Sequence, residues 1–371
     1  MISCAVTTSF LGCLVTFSLF FRYVFFMPVP VWAKSTAALC ALLAGCFPLL
    51  VGYGFEKYLG GAFAVYRYAL YFVYVTCIIL FALTILSDAA VFAAVKAGLV
   101  AATGEKARLY YSAGLIAVAL LCGVYALYDG MKVPAVKTVT IASDKIRKER
   151  TIVLLGDVHI HRVISAAKVR GIVEKTNAQK PDLILLSGDI IDDEPQKIAD
   201  VARLLENLKA QDGVYFVTGN HEFYIGYRRA VDMLTGAGFH LLENDGADFG
   251  DLFVAGVPDV TAQEFSGKKA DARKAFSKAK DGQFRLLISH TPTDFKDGAA
   301  YDLQVAGHTH GGQIFPFHIL TKLYNPYLSG LYEKGSTRVY VTNGAGQWGP
   351  QMRFLAEPEI TVIRLIPETA K

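Results

Sequence analysis

His308 and His310 stand two residues apart inside the run Gly307-His308-Thr309-His310-Gly311-Gly312, and Asp157 and His159 repeat that spacing earlier in the chain. Near the end of a strand, residues two apart point their side chains the same way. Each pair can therefore present two donors to one point. Three further motifs carry similar groups: Gly188-Asp189-Ile190-Ile191-Asp192, Gly219-Asn220-His221-Glu222 and Ser289-His290. Carboxylate, imidazole and amide oxygen together suit divalent ions such as Mn, Fe, Zn or Mg. Glycines beside them let backbone and phosphate approach with no Cβ in the way. Alone, D-x-H is a weak signal and usually structural, GNHE is moderate because Asn-His also suits a turn, and H-x-H among glycines is stronger. Five such motifs in one order, each following an apolar strand, are hard to obtain by chance.

Such motifs need strands that end together. Beyond residue 150 the chain alternates short apolar runs with amphipathic segments. Strands are expected at 151–155, 182–186, 214–217, 239–243, 252–256, 284–288, 302–305, 338–342 and 359–365, and helices at 164–177, 197–210 and 227–236. Strands alternating with helices, then a strand-rich second part, indicate a layered α/β domain. In such sheets ligands bind beyond the carboxyl ends of the strands, which is where the motifs fall.

The series D-x-H, G-D-x-x-D, G-N-H-E, a lone His and G-H-x-H resembles the calcineurin-like metallophosphoesterase superfamily. The run Gly307–Ile314 and the later Asn343-Gly344-Ala345-Gly346-Gln347-Trp348-Gly349-Pro350, followed by Pro358-Glu359-Ile360, are similar to its YkuE-type branch. The resemblance covers about 133–367. It implies a two-sheet β-sandwich flanked by helices and a centre of two divalent metal ions, manganese foremost among Mn, Fe, Zn and Mg. One ion would take Asp157, His159 and His310, the other Asn220, His290 and His308, with Asp189 bridging them. A water activated between the ions would be the attacking group. His221 would be the general acid for the leaving group, oriented by Asp192. Two departures are visible: Gly156 stands where many members have Ser, and Asp193 where some have Arg.

Other candidates read as structural. Glu222 is expected to brace the His221 turn, His161 to face solvent from a loop, with contact to substrate as the alternative, and His240 and His318 to be structural. Ser289 lacks the G-x-S-x-G setting of a nucleophile, and there is no Walker-type loop or G-x-G-x-x-G.

The chain has 371 residues and is 53% hydrophobic, an excess concentrated in its first third. A bilayer core about 30 Å thick needs about 20 apolar residues of helix. Four spans are expected, at about 5–26, 35–55, 66–87 and 109–128, with 88–102 extending the third or lying at the interface. Tyr66, Arg67, Tyr68, Tyr71 and Tyr74 read as an aromatic and basic anchor at the bilayer surface. All six cysteines lie in this third and read as small buried packing residues. The rest therefore has neither a disulfide nor a thiolate metal site. The expected division is a transmembrane helical region over 1–130, a linker over 131–150 and the metallophosphoesterase domain over 151–371. Arg22 and Lys34 after the first span favour both termini outside, whereas the basic residues after the last span point the other way. The side of the cell (inner or plasma) membrane carrying the site stays open.

A multi-span anchor on a hydrolase suggests a phosphorylated lipid or lipid-linked envelope substrate. The resemblance adds a diphosphatase acting on UDP-2,3-diacylglucosamine, because one YkuE-like group has that activity. A non-catalytic membrane sensor with a metal-binding domain is the alternative from another class, opposed by the complete ligand set. A nucleotide or nucleic-acid phosphodiesterase ranks low. The net charge of +4 comes with no long basic tract, and the soluble part lacks a dense Lys/Arg stripe with interleaved aromatics.

Overall fold

The computed structural model describes residues 2–25, 29–46, 63–100 and 104–368. The chain divides into two compact units. One contains the N-terminal helices together with Ile314–Pro316 and Pro350–Phe354, and the other contains the remainder from Gly130 onward.

In the first unit, α1 (Ile2–Phe20) continues through a π turn (Phe21–Phe25), followed by α2 (Val31–Gly45), α3 (Phe63–Lys96) and α4 (Glu105–Met131). Among the described residues, three segments are long and apolar enough to cross a membrane: Val6–Phe25, Ala64–Lys96 and Lys106–Met131. They coincide with three of the four expected spans, and residues 88–96 do extend the third. The span expected at 35–55 lies partly outside the described residues. Its described part is α2, which at 15 residues is shorter than a bilayer core requires.

Small residues let these helices touch. A Cβ on Gly45 would come within 2.7 Å of the Cys13 backbone, so α1 and α2 meet backbone to backbone, as small residues permit in membrane helices. Thr16 Oγ1 donates to Ala41 O across the same contact (2.7 Å). Tyr74, expected in a surface anchor, is instead buried and donates to Thr8 O (2.9 Å). Arg22 pairs with Asp88 (3.3 Å), so its charge is partly cancelled and weighs less in any orientation argument. Cys13, Cys46, Cys77 and Cys122 are half-buried and Cys40 is exposed, rather than uniformly buried.

The second unit is a sandwich of two six-stranded sheets, ordered β1-β12-β2-β3-β4-β5 and β10-β11-β9-β8-β7-β6. The first sheet comprises β1 (Ala135–Ser143), β2 (Arg150–Leu155), β3 (Leu183–Leu186), β4 (Val214–Phe216), β5 (His240–Leu241) and β12 (Glu359–Pro367). The second comprises β6 (Asp245–Asp248), β7 (Leu252–Gly256), β8 (Phe284–Ile288), β9 (Leu303–Ala306), β10 (Gly330–Lys334) and β11 (Thr337–Val341). Side chains alternate along a strand, and in β2 both faces are buried. Ile152 and Leu154 pack with Val254, Leu286 and Val305 between the sheets. Val153 and Leu155 pack with Val169, Ile172 and Val173 of the helix Ala166–Ala178. Strands covered on both faces read as unbroken apolar runs, which is why β2, β3 and β8 stand out in the sequence. The far face of the second sheet is covered by Ala272, Ala275 and Phe276 against Phe253 and Leu287.

Residues 131–150, expected to be a linker, contain β1, which pairs in parallel with β12 from Ala135↔Glu359 to Ser143↔Pro367. β1, β6 and β10 are the strands that the apolar pattern did not announce.

Candidate metal centre

The chain leaves β2, β3 and β4 of one sheet and β8 and β9 of the other at the same end of the sandwich. Main-chain bonds tie the departing segments together: Asp157 N–H donates to Gly188 O (3.0 Å), His159 N–H to Asp189 O (3.0 Å) and Gly307 N–H to His290 O (2.9 Å). The fit is close. A Cβ on Gly219 would lie 2.2 Å from Asp189 Oδ1, so only glycine lets the third motif pack on the second. The Asn343–Gly346 segment folds over the first motif, with Ala345 N–H on Gly156 O (2.9 Å) and Gly346 N–H on Asp157 O (2.8 Å).

The structure brings all nine sequence-predicted site residues together. His159 Nε2 lies 3.1 Å from His310 Nε2, which is 3.5 Å from Asp157 Oδ1. A second triangle joins Asn220 Oδ1, His290 Nε2 and His308 Nδ1 at 3.0, 3.1 and 3.2 Å. Asp189 Oδ2 sits between the two groups, 3.7 Å from His159 Nε2 and 3.3 Å from His290 Nε2. Donors bound at about 2.0–2.1 Å to one tetrahedral ion lie roughly 3.3–3.4 Å apart, and these spacings bracket that value. His290 Nδ1 lies 2.8 Å from the Ser187 carbonyl. A carbonyl can only accept, so Nδ1 carries a proton, and Nε2 is the atom that would present a lone pair to the triangle once a metal displaces its own proton. The site is a convergence of acceptors, and its donor set fits two divalent cations.

Five of these residues hold left-handed backbone: Asp157 (φ 53°), His159 (49°), Asp189 (52°), His308 (72°) and His310 (51°). Such conformations cost energy in residues other than glycine and collect at functional sites. The backbone is bent to aim these side chains inward, and hydrogen bonds hold the bend. His308 N–H donates to both Asp157 oxygens (3.0 and 3.1 Å). Glu222 accepts from the N–H groups of Asp189, Ile190, Ile191 and Gly219 at 2.7–3.0 Å. It is a brace, as expected, and it serves the second motif as well as the third.

Burial works against charge throughout the cluster. Even so, Asp189 and Asp157 hold His290 well above the ordinary histidine range. Asp189 and Asp192 likewise outweigh burial to raise His221 to about 9. Burial pushes Asp157 up, whereas His290 and His221 hold the equally buried Asp189 well below the carboxylate range. Burial and the neighbouring His290 push His308 down to about 4. Without metal, these carboxylates favour the protonated forms of His290 and His221.

His221 extends beside the two triangles, with Nε2 3.9 Å from Asp189 Oδ2 and Nδ1 hydrogen-bonded to Asp192. Trp348 and Tyr224 flank its ring at 6.4 and 5.4 Å between centroids. Their place at this rim was not legible, because an aromatic in a loop carries no address of its own. His161 is buried, not solvent-facing, and accepts the Val163 N–H at Nδ1 (3.2 Å). Asp193 pairs with Arg162 at 2.6 Å through both carboxylate oxygens, so the acid at this departure has a basic partner from the first motif's loop. His240 meets the Tyr215 ring in a tilted contact at the sheet edge, and His318 sits against Gly312.

Residues 150–312 match the calcineurin-like phosphoesterase family. A metallophosphoesterase of Bacillus subtilis, YkuE, is 35% identical over 229 residues, which is 58% of this chain and 78% of that protein. The chain belongs to the metallophosphoesterase family. A family member from Helicobacter pylori strain J99 is 37% identical over 245 residues, 65% of this chain and 66% of that protein, so the match spans just under two thirds of that relative. A zebrafish (Danio rerio) relative, described as a transmembrane protein with a metallophosphoesterase domain, is 32% identical over 271 residues, 68% of this chain and 61% of its own length. This family is built on a dinuclear divalent metal centre, and the Asp/His clusters described above are where this metallophosphoesterase would form one.

Proposed function

We propose that this metallophosphoesterase is a multi-pass protein of the cell membrane that hydrolyses a phosphate ester or diphosphate of a lipid or lipid-linked substrate. The observation that carries the catalytic part is the pair of acceptor triangles sharing Asp189. Asp157, His159 and His310 would hold one ion, and Asn220, His290 and His308 the other, with Asp189 between them; manganese is the first choice. When bound, two such ions activate water and offset charge on the attacking and leaving oxygens. The chain's own residues do the remaining work. Asp192 fixes the His221 ring through Nδ1, so that Nε2 can give its proton to the departing oxygen. In the metal-free chain Asp189 and Asp192 raise the affinity of His221 for its proton, and its bond to Asp192 continues to favour that proton when ions are bound. Three helices of membrane-crossing length and a relative described as a transmembrane protein support the membrane placement and, through it, a lipid substrate.

The test is the purified full-length protein in nanodiscs with Mn²⁺, assayed on bis-p-nitrophenyl phosphate, a phospholipid panel and UDP-2,3-diacylglucosamine, with His310→Ala as the blank. Hydrolysis that vanishes in the blank supports the phosphoesterase reading, and no metal-dependent hydrolysis of any of them overturns it. Turnover of soluble diesters alone would remove the lipid assignment.

A further inference from the structure

The helix Phe317–Tyr324 is amphipathic in the reverse of the usual sense. A surface helix of a soluble domain turns its apolar arc toward the core, yet none of this helix's residues is buried. Ile319, Leu320, Leu323 and Tyr324 are 53, 44, 76 and 88% exposed. At about 100° per residue these four share one arc of roughly 140°. The opposite side carries His318 and Thr321, and it is the side pressed inward. A Cβ on Gly312 would lie 2.2 Å from His318 Cα, so the helix rests on the loop that contains His308 and His310. Single exposed apolar residues are ordinary, but a contiguous outward-facing group marks an interaction surface.

The chain identifies the partner. The helix begins directly after Ile314–Pro316, a segment grouped with the N-terminal helices. Within that unit Phe315 N–H donates to Phe354 O (3.0 Å) and Arg353 N–H to Ala126 O of α4 (2.9 Å). The Phe354 ring meets Tyr125 of α4 edge-on at 6.4 Å. One residue therefore separates the helix from a segment packed on a helix of membrane-crossing length. Exposed Lys322 lies beside the apolar arc and Tyr324 closes it, the combination that lies flat in a lipid headgroup layer.

We infer that Phe317–Tyr324 is an interfacial helix, sunk along its apolar arc into the bilayer surface, so that the His308–His310 loop beneath it takes a phosphate at the headgroup level. The membrane contact stands independently of the catalytic proposal, whereas the choice of a lipid phosphate as substrate rests on it.

The test uses full-length protein in phosphatidylethanolamine/phosphatidylglycerol nanodiscs with a benzophenone amino acid at position 323, and at Lys278 as a remote exposed control. Lipid adducts at 323 and none at 278 are expected. A protein–protein adduct at 323, or no lipid adduct, overturns the inference. The second measurement is Leu323→Glu, expected to lower turnover of a vesicle-embedded fluorescent phospholipid about tenfold while bis-p-nitrophenyl phosphate turnover stays unchanged. An equal fall on both substrates would make the leucine merely structural and sink the interfacial role. Wild-type protein that hydrolyses neither substrate but gives the lipid adduct would sink the catalytic proposal alone.

Discussion

Asp192 grips His221 by hydrogen-bonding Nδ1 through Oδ1, and its other oxygen lies 3.3 Å from His159 Nδ1. One carboxylate thus sets the ring of the proposed acid and also faces a proposed metal ligand. This shared hold makes the two roles separable by experiment.

Asp192→Asn keeps the shape but weakens the charge-assisted bond to His221. Turnover is expected to fall about 10²-fold, the scale of one acid–base contribution, with two metal ions per chain retained. Elemental analysis alongside kinetics checks this. Loss of one ion with the activity would show that Asp192 acts chiefly on His159.

The protonated form of His221 is present below its raised pKa of about 9 and lost above it. For a diester with a poor leaving group, turnover should therefore decline with rising pH, with a midpoint below that value because the bound cations lower it. A p-nitrophenyl leaving group needs less proton help and should show a shallower decline. Identical profiles for the two would argue against His221 as the acid.

Metal loading should release protons. His290 is held well above the ordinary histidine range without metal, so at neutral pH it must lose a proton to become a ligand. Apparent metal affinity should then fall as the pH is lowered. Calorimetric titration of chelator-stripped protein in two buffers of different ionisation enthalpy reads the proton count, and a count of zero contradicts the assignment.

Glu222→Gln puts an amide NH₂ among the four N–H groups that the carboxylate accepts. Hydrogen bonds to charged groups contribute about 1.5–3 kcal/mol each and buried unmade ones are costly. A loss of about 3 kcal/mol in stability is expected, read by denaturant unfolding in detergent. A loss below about 0.5 kcal/mol, the range of ordinary surface substitutions, would mean the brace is dispensable.

Gly219→Ala would drive a methyl into Asp189 Oδ1, displacing the carboxylate between the two triangles. Metal content and activity should both drop, whereas Gly236→Ala, whose new Cβ would meet no atom within 4 Å beyond its own helix backbone and chain neighbours, should leave both intact. Equal behaviour of the two variants would show that the packing of the second and third motifs is looser than the structure has it.

The parts of this fold that could be read from the sequence are those whose chemistry is local. β2, β3 and β8 announced themselves because layers cover both of their faces. The ligand motifs announced themselves because each sits at the end of such a strand. β1 did not, because its burial runs from exposed Ala135 to Thr138 before reaching Ile141, and its partner β12 lies more than 200 residues away. β6 (Asp245–Asp248) and β10 (Gly330–Lys334) are polar edge strands held by one neighbour each. At the site, residue identities were legible but their cooperation was not. That Glu222 holds two motifs, and that Arg162 answers Asp193, depends on which loops the sheets bring together.

The position of β12 has a consequence for biogenesis. It lies between β1 and β2 in the first sheet, yet it follows every other strand among the described residues. Domains emerge from the ribosome N-terminal part first. α1, α3 and α4 can enter the bilayer while β2, with its Asp157-bearing loop, still lacks the neighbour on one side. Until residues 359–367 are synthesised, β1 has no ladder partner and one edge of β2 stays open. A ribosome stalled before residue 359 should therefore hold a nascent chain that is already membrane-inserted but still protease-sensitive around 135–155, and that cannot capture metal.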